Sequence, residues 1–357
     1  MRRVFVDRRV GGIERYYLAE KEDGVIVPDV IRKCVAFVYG HFSKGDLPVG
    51  TAFFVRFPME TAPGRIWIYA VTAKHVIDGI KARSVDQEVV LRMNHRHSGL
   101  VDMVTGAADW VTHPSDPSID VAALAVTVAR DSVQDVLLPP GAIVYNFPIL
   151  EGSATREIIQ EYQIGTGDEV FFPGMFVHHV GEKRNIPIVR IGNIAAMPEE
   201  PVQTKVLEPM EAYLVEARSI GGLSGSPVFV NIGLVRSVTG TVRTARPNPP
   251  YPTVFYMLGL MNGHFDVQPA TPPLTNEKIN MGIAIVTPVW RIMDVINHPR
   301  EVEMRRKVEK EVRDGESSAT LDSAPTEHEG VSREEFMKTL KRASQKISPP
   351  DQGKKGT

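Results

Sequence analysis

Between Ile31 and Val144 the apolar positions fall into short β-branched and aromatic runs separated by Gly, Pro, Asp and Asn, and helical periodicity is nearly absent. That texture predicts many short strands. Five runs stand out: Cys34–Tyr39, Gly50–Phe57, Arg65–Thr72, Glu88–Met93 and Val121–Val126. After the proline-rich break at Leu138-Pro139-Pro140-Gly141 the texture returns in Glu169–Phe172, Ile188–Ile194, Tyr213–Ala217, Pro227–Val230, Phe255–Met261 and Met281–Val286. The chain therefore reads as all-β, with two successive units of similar size spaced as in small antiparallel barrels or sandwiches.

The pattern changes after Val289. Trp290, Ile292, Met293, Val295 and Ile296 recur at helical spacing, which predicts a C-terminal helix ended by Asn297-His298-Pro299. From Glu301 onward 24 of 57 residues are charged and the only aromatic is Phe336, so residues 301–357 are expected to be a largely disordered tail. Within it, Ser332-Arg333-Glu334-Glu335 is a capping box that would open a short helix over 332–347. Residues 1–30 read as an N-terminal extension. The stretches Arg246–Pro252 and Gln268–Pro273 are proline-rich and read as surface loops of the second unit.

Composition narrows the function classes. With 357 residues, 41 Lys+Arg against 43 Asp+Glu, a net charge of −2 and 43% hydrophobic residues, the chain has ample core material and no basic excess. Nucleic-acid binding, which needs a dense cationic patch, is not expected. Cys34 is the only cysteine, so no intrachain disulfide or thiolate zinc cluster is available. The charged N-terminus lacks the apolar core of a secretory signal, and no run approaches membrane-helix length, so a cytoplasmic location and no membrane contact are expected. His95 and His97, like His178 and His179, have no further ligands at metal spacing, and no phosphate loop is present. Neither a metal nor another cofactor is expected.

Three signals carry chemistry. Gly221-Gly222-Leu223-Ser224-Gly225-Ser226-Pro227 brackets a serine with glycines in a turn that opens into a strand, where backbone amides can converge beside the hydroxyl. Upstream, the apolar strand ending Thr72-Ala73-Lys74 delivers His75, and Asp120 stands at the start of the apolar run Val121–Val126. A buried carboxylate there needs a partner, and an imidazole is one. The order His, Asp, Ser, at intervals of 45 and 104 residues, is the constellation.

Over about Ile31–Val295 the sequence resembles the trypsin-like serine peptidases, in their disulfide-free bacterial style. Thr72-Ala73-Lys74-His75 is similar to the family's histidine motif, Asp120-Val121-Ala122 to its aspartate motif and Gly222–Pro227 to its serine motif. Val49–Val55, Gly165–Gly174 and Met281–Pro288 resemble its supporting strands. Lys74 and Ser226 depart from the commonest residues at their positions. The resemblance implies two antiparallel six-stranded β-barrels packed together, the first over about 31–138 and the second over about 139–300, then the helix and the charged tail.

It also implies a serine endopeptidase acting on peptides or proteins, with Ser224 as nucleophile, His75 as general base and Asp120 orienting His75, Asp116 being the rival carboxylate. The amides of Gly222 and Ser224 would form the oxyanion hole. Met261, Asn262 and Gly263 would pair with substrate backbone. Arg218, with Ser219, would sit at the specificity pocket and favour acidic side chains, unless Arg218 turns to solvent or is neutralised by Glu211 or Glu216. The same fold can serve as a catalytically silent or partner-activated binding module, with a regulatory protein docking on the tail or the N-terminal extension.

Overall fold

The computed structural model describes residues 27, 29–60, 65–95, 97, 99–130, 139, 142–143, 145–203, 209–217, 222–233, 235–238, 240–244, 247–248, 251–252, 255–267 and 279–321. Two units are distinguished, one of residues 1–59 and 64–302, the other of 60–63 and 303–357. No described helix is long and apolar enough to cross a membrane.

The first unit opens with α1 (Asp29–Arg32), then β1 (Val35–Phe42), β2 (Gly45–Pro58), β3 (Arg65–Thr72), α2 (Lys74–Arg83), β4 (Glu88–His95), β5 (Gly99–Gly106), β6 (Val111–Thr112) and β7 (Ala122–Arg130). These strands pair in the order β5-β4-β1-β2-β3-β7-β6, with β8 (Ala142–Ile143) added to β4 and β9 (Asn146–Pro148) running parallel to β2. Phe37, Phe53, Ile68, Tyr69 and Leu91 are fully buried in it. Each such side chain contributes about 1.5–3 kcal/mol through removal from water.

Among the described residues this sheet is not closed into the six-stranded barrel expected of the first unit. It has nine strands, and among the described residues no pairing joins β5 to β6. The physical reason lies in β6, which stops after two residues, just before His113-Pro114. A proline has no N–H with which to continue a ladder.

The second half follows the expected plan. α3 (Arg156–Tyr162) leads into β10 (Glu169–Gly174), β11 (Ile188–Ala196), β12 (Tyr213–Glu216) and β13 (Pro227–Asn231). Two small hairpins follow, β14 (Val235–Val238) with β15 (Thr241–Thr244), and β16 (Pro247–Asn248) with β17 (Tyr251–Pro252). The long strands β18 (Phe255–Val267) and β19 (Ile279–Pro288) complete a closed six-stranded barrel, β10-β11-β12-β19-β18-β13. Val170, Phe172, Tyr213, Val228, Leu258 and Val286 are buried in its core. The structure thus holds one closed barrel and one nine-stranded sheet.

α4 (Val289–Ile296) buries Val289, Ile292, Val295 and Ile296 along one face, as its spacing predicts. Beyond it the structure departs from the sequence reading. Pro299 does not merely end α4; it opens α5 (Pro299–Leu321), helix where a largely disordered tail was expected. Proline is favoured in a first helical turn, where its missing N–H costs nothing, and Glu301 stands there too. Glu303 and Lys307 pair at i,i+4, 2.8 Å apart. The helix expected over 332–347 lies outside the described residues, as does almost all of the N-terminal extension.

Candidate active site

Strand register brings the histidine and the aspartate together. Thr72, the last residue of β3, is paired with Ala122, the first of β7. His75 lies three residues beyond one end of this pair and Asp120 two residues before the other, so antiparallel pairing alone sets them side by side. Asp120 is 2% exposed, and its carboxylate makes two contacts with His75. The backbone N–H of His75 donates to Oδ1 at 2.8 Å, and Nδ1 is 2.6 Å from Oδ2.

The first contact has a structural consequence. His75 lies in the first turn of α2, where backbone N–H groups lack helical partners. Ala73, at the N-cap, has no side chain to serve them. Asp120 caps the helix from across the sheet. The second contact makes Nδ1 the donor, since Asp120 as a carboxylate only accepts, and so leaves Nε2 free to take a proton. Burial of the imidazole by itself lowers its pKa, but the hydrogen bond and charge of Asp120, helped by Asp78, raise it above the ordinary histidine value.

The serine turn is anchored to the same strand ends. Thr51 of β2 is fully buried and makes four hydrogen bonds. Its N–H donates to the Ser224 carbonyl at 2.8 Å, and its hydroxyl donates to the Gly222 carbonyl at 2.7 Å while accepting from Met175 N–H at 2.9 Å. Its own carbonyl accepts from the Thr72 hydroxyl at 2.7 Å. Gly225 donates to Met261 of β18, and Met261 N–H returns a bond to the Ser226 carbonyl.

Two glycines make this turn possible. Gly222 and Gly225 have φ of 98° and 87°, in the left-handed region that other residues rarely adopt. A Cβ on Gly225 would come within 2.0 Å of the Thr51 carbonyl oxygen and 3.1 Å of the Ala73 nitrogen. The turn therefore packs on the residues that precede His75. The Gly222 carbonyl faces Thr51, and neither the Gly222 nor the Ser224 N–H is taken by another described residue.

The Ser224 hydroxyl donates to the Asn262 carbonyl at 3.0 Å. No hydrogen bond joins it to His75 among the described residues. Asn262 sits where the pairing of β18 with β19 slips between Met261 and Gly263, which turns its carbonyl out of that ladder. Its side-chain oxygen accepts from the Thr287 N–H and hydroxyl at 3.2 and 2.8 Å. Among the described residues Asn262 Nδ2 and Ser226 Oγ are buried without a partner, each at a cost of about 1–3 kcal/mol.

Of the remaining candidates, Asp116 is committed elsewhere. It accepts from the Ser118 hydroxyl and N–H, and these bonds hold its pKa below the usual carboxylate value. Lys74 turns outward to the Pro117 carbonyl and Asp78. Met261, Asn262 and Gly263 lie on β18 beside Ser224, whereas Arg218 and Ser219 lie outside the described residues. Thr51, Thr72 and Thr287 are structural supports to which motif reading assigned no role. Their signal was a hydroxyl inside or at the end of an apolar run, which once buried must find a hydrogen-bond partner.

No family model matches the chain, and no curated protein matches it. Solved structures do. The MamO protease domain from Magnetospirillum magneticum, in its apo form, is 12% identical over 74% of this chain and 96% of that one, with a TM-score of 0.40. The HtrA-type protease AlgW, solved with a decapeptide, is 15% identical over 75% of this chain and 65% of its own, with a TM-score of 0.39. Deg5 is 15% identical, covering 73% and 86%, with a TM-score of 0.35. The chain is thus similar, over about three quarters of its length, to solved structures of which two are named as proteases.

Proposed function

We propose that this chain is a trypsin-like serine endopeptidase in which Ser224, His75 and Asp120 act as a catalytic triad. The observation that carries the reading is the double contact of Asp120 with His75, which fixes the ring with Nε2 as acceptor, beside a glycine turn built on the same strand ends. Ser224 Oγ attacks the scissile carbonyl as its proton passes to His75 Nε2, and the tetrahedral oxyanion is held by the N–H groups of Gly222 and Ser224. His75 returns the proton to the leaving amine. Water, deprotonated in the same way, then releases the acyl group.

For the attack, Oγ must leave the Asn262 carbonyl and turn towards His75. A peptide strand laid along Met261–Gly263 offers N–H groups to that edge, and one of them would displace the serine hydroxyl there. Arg218 and Ser219 belong to the specificity pocket in this reading, with Arg218 selecting acidic side chains.

The Ser224–Asn262 bond also favours a second reading, a silent or partner-activated binding module whose serine rests away from its base. Its regulatory partner would dock on the charged tail or the N-terminal extension. Labelling by a fluorophosphonate probe separates the two. An endopeptidase is labelled as the wild type and not as Ser224→Ala, with His75→Ala strongly slowed. Folded wild-type protein that takes no label, alone and with peptide present, refutes the enzyme assignment.

A further inference from the structure

A second polar cluster lies at the opposite end of α2 from His75. His41, in the last turns of β1, points its Nδ1 at Asp86 Oδ2, 2.6 Å away, and at Glu88 Oε2, 3.9 Å away. One ligand atom from each of these residues lies within 4.8 Å of the others. The other ring nitrogen, Nε2, faces Asp46 Oδ1 at 3.7 Å. The four residues come from the β1–β2 hairpin and from the α2–β4 connection, and all are open to solvent on at least one side.

Charge makes this arrangement unusual. Three carboxylates converge on one imidazole, and among the described residues no lysine or arginine forms an ion pair with any of them. Asp102, on the neighbouring β5, has its pKa raised, by burial first, with the charge of Arg92 opposing and that of Asp46 adding to it. Like charges gathered this closely call for a counter-charge. The imidazole can supply that by taking a proton, or a metal ion shared with it can.

The ligand geometry favours the cation. One nitrogen and two carboxylates converging on a point are a donor set for a first-row divalent ion. Metal–ligand bonds of about 2.0–2.2 Å bring neighbouring donor atoms to about 3 Å, which the exposed Asp86 and Glu88 side chains reach by small rotations. A histidine that binds a metal through one nitrogen characteristically donates its other N–H to a carboxylate. Asp46 Oδ1, 3.7 Å from Nε2, lies within a small rotation of that second position.

We propose that His41 Nδ1, Asp86 and Glu88 form a binding site for a divalent cation of the zinc or manganese class, with Asp46 as the outer partner of His41 Nε2. On binding, the Nδ1 proton that faces Asp86 leaves, to solvent from the imidazolium ring or to Nε2 from the neutral one, and the metal takes its place while Nε2 keeps an N–H towards Asp46. Water completes the coordination. The ion ties the hairpin to the α2–β4 connection, where the His41 carbonyl already accepts from Val85 N–H at 2.9 Å. It thereby holds the far end of the helix that carries His75.

The test is calorimetric titration of the full chain, freed of any affinity tag, with zinc and manganese chlorides. One saturable site per chain is expected, with affinity at least about 10-fold weaker in His41→Gln and in Glu88→Gln, and 10- to 100-fold weaker in Asp46→Asn. Cobalt is the spectroscopic probe: its visible bands should be lost in His41→Gln. Bound metal should slow amide exchange over residues 84–88. The double variant His178→Gln/His179→Gln and the variant Ser224→Ala should bind as wild type does, so the outcome is independent of the peptidase reading. Thermal melting without metal verifies that each variant is folded. Absence of saturable binding, or binding that survives in His41→Gln and Glu88→Gln and is lost in the His178/His179 variant, overturns the proposal.

Discussion

Two opposed influences meet on the ring of His75. Burial favours the neutral imidazole, whereas Asp120 favours the charged one, and the balance lies with Asp120, so the pKa is raised. For stability the sign is that of a group whose folded pKa exceeds its unfolded value of about 6.5: the protonated pair stabilises fully below that pH and the contribution is lost as pH rises through the folded pKa. For the proposed catalysis the dependence is the reverse, because only neutral His75 could accept the proton of Ser224. Peptide hydrolysis is therefore expected to rise with pH, with a midpoint in kcat/KM above about 6.5. Asp120→Asn removes the main raising influence and leaves burial in place. It should shift the midpoint downward and, by favouring the wrong tautomer, reduce the rate by roughly four orders of magnitude. A rate independent of pH between about 6 and 8 would contradict the base role.

At the scale of elements, the site is assembled by strand ends and by Thr51, which links β2, the serine turn and the loop after β10. Thr51→Val keeps the shape of the side chain and removes the hydroxyl. The Gly222 carbonyl and the Met175 N–H then lose their common partner, and a loss of about 1–3 kcal/mol in denaturant unfolding is expected. Activity should fall further than stability accounts for if the Gly222 turn carries the oxyanion donors, as proposed; an unchanged kcat in a destabilised variant would separate the two effects. Much of this layer was legible in the sequence. All eleven apolar runs coincide with strands, three of them overrunning the strand by one residue at Cys34, Val121 and Ala217, because a strand buried on one or both faces must show its burial as hydrophobic pattern. What escaped was structure whose support comes from elsewhere in the chain. β5 is half-exposed along most of its length, so its pattern is weak. α2 has no capping side chain of its own at Ala73 and is capped by Asp120, 45 residues away from His75 in sequence. The serine, histidine and aspartate motifs were legible for the opposite reason: each is local, a few residues whose identities are fixed by one turn or one strand end. The bond from Ser224 to Asn262 was not, since it depends on a slip in the β18–β19 register.

At the scale of the whole molecule, apolar burial among the described residues stops short of the charge-rich C-terminal stretch. Every buried apolar side chain among the described residues falls between Val27 and Ile296. α5 instead begins at Pro299 and is rich in Glu, Lys and Arg, with helix running on through residues that a compositional argument assigns to disorder. Charged sequences can be helical without a core of their own, since i,i+4 pairs such as Glu303–Lys307 each add a few tenths of a kcal/mol. Such pairs do not make a cooperative fold, and a helix of this composition in isolation is marginal. A chain ending at Val302, where the first unit ends, keeps the closed barrel, the nine-stranded sheet, α4 and all three residues of the proposed triad. Its thermal unfolding is expected to remain a single cooperative transition, and fluorophosphonate labelling of Ser224 to proceed at a rate within a few-fold of the full chain. Loss of the cooperative transition on truncation would mean that residues beyond Val302 belong to the folding unit, and that apolar burial alone does not define it.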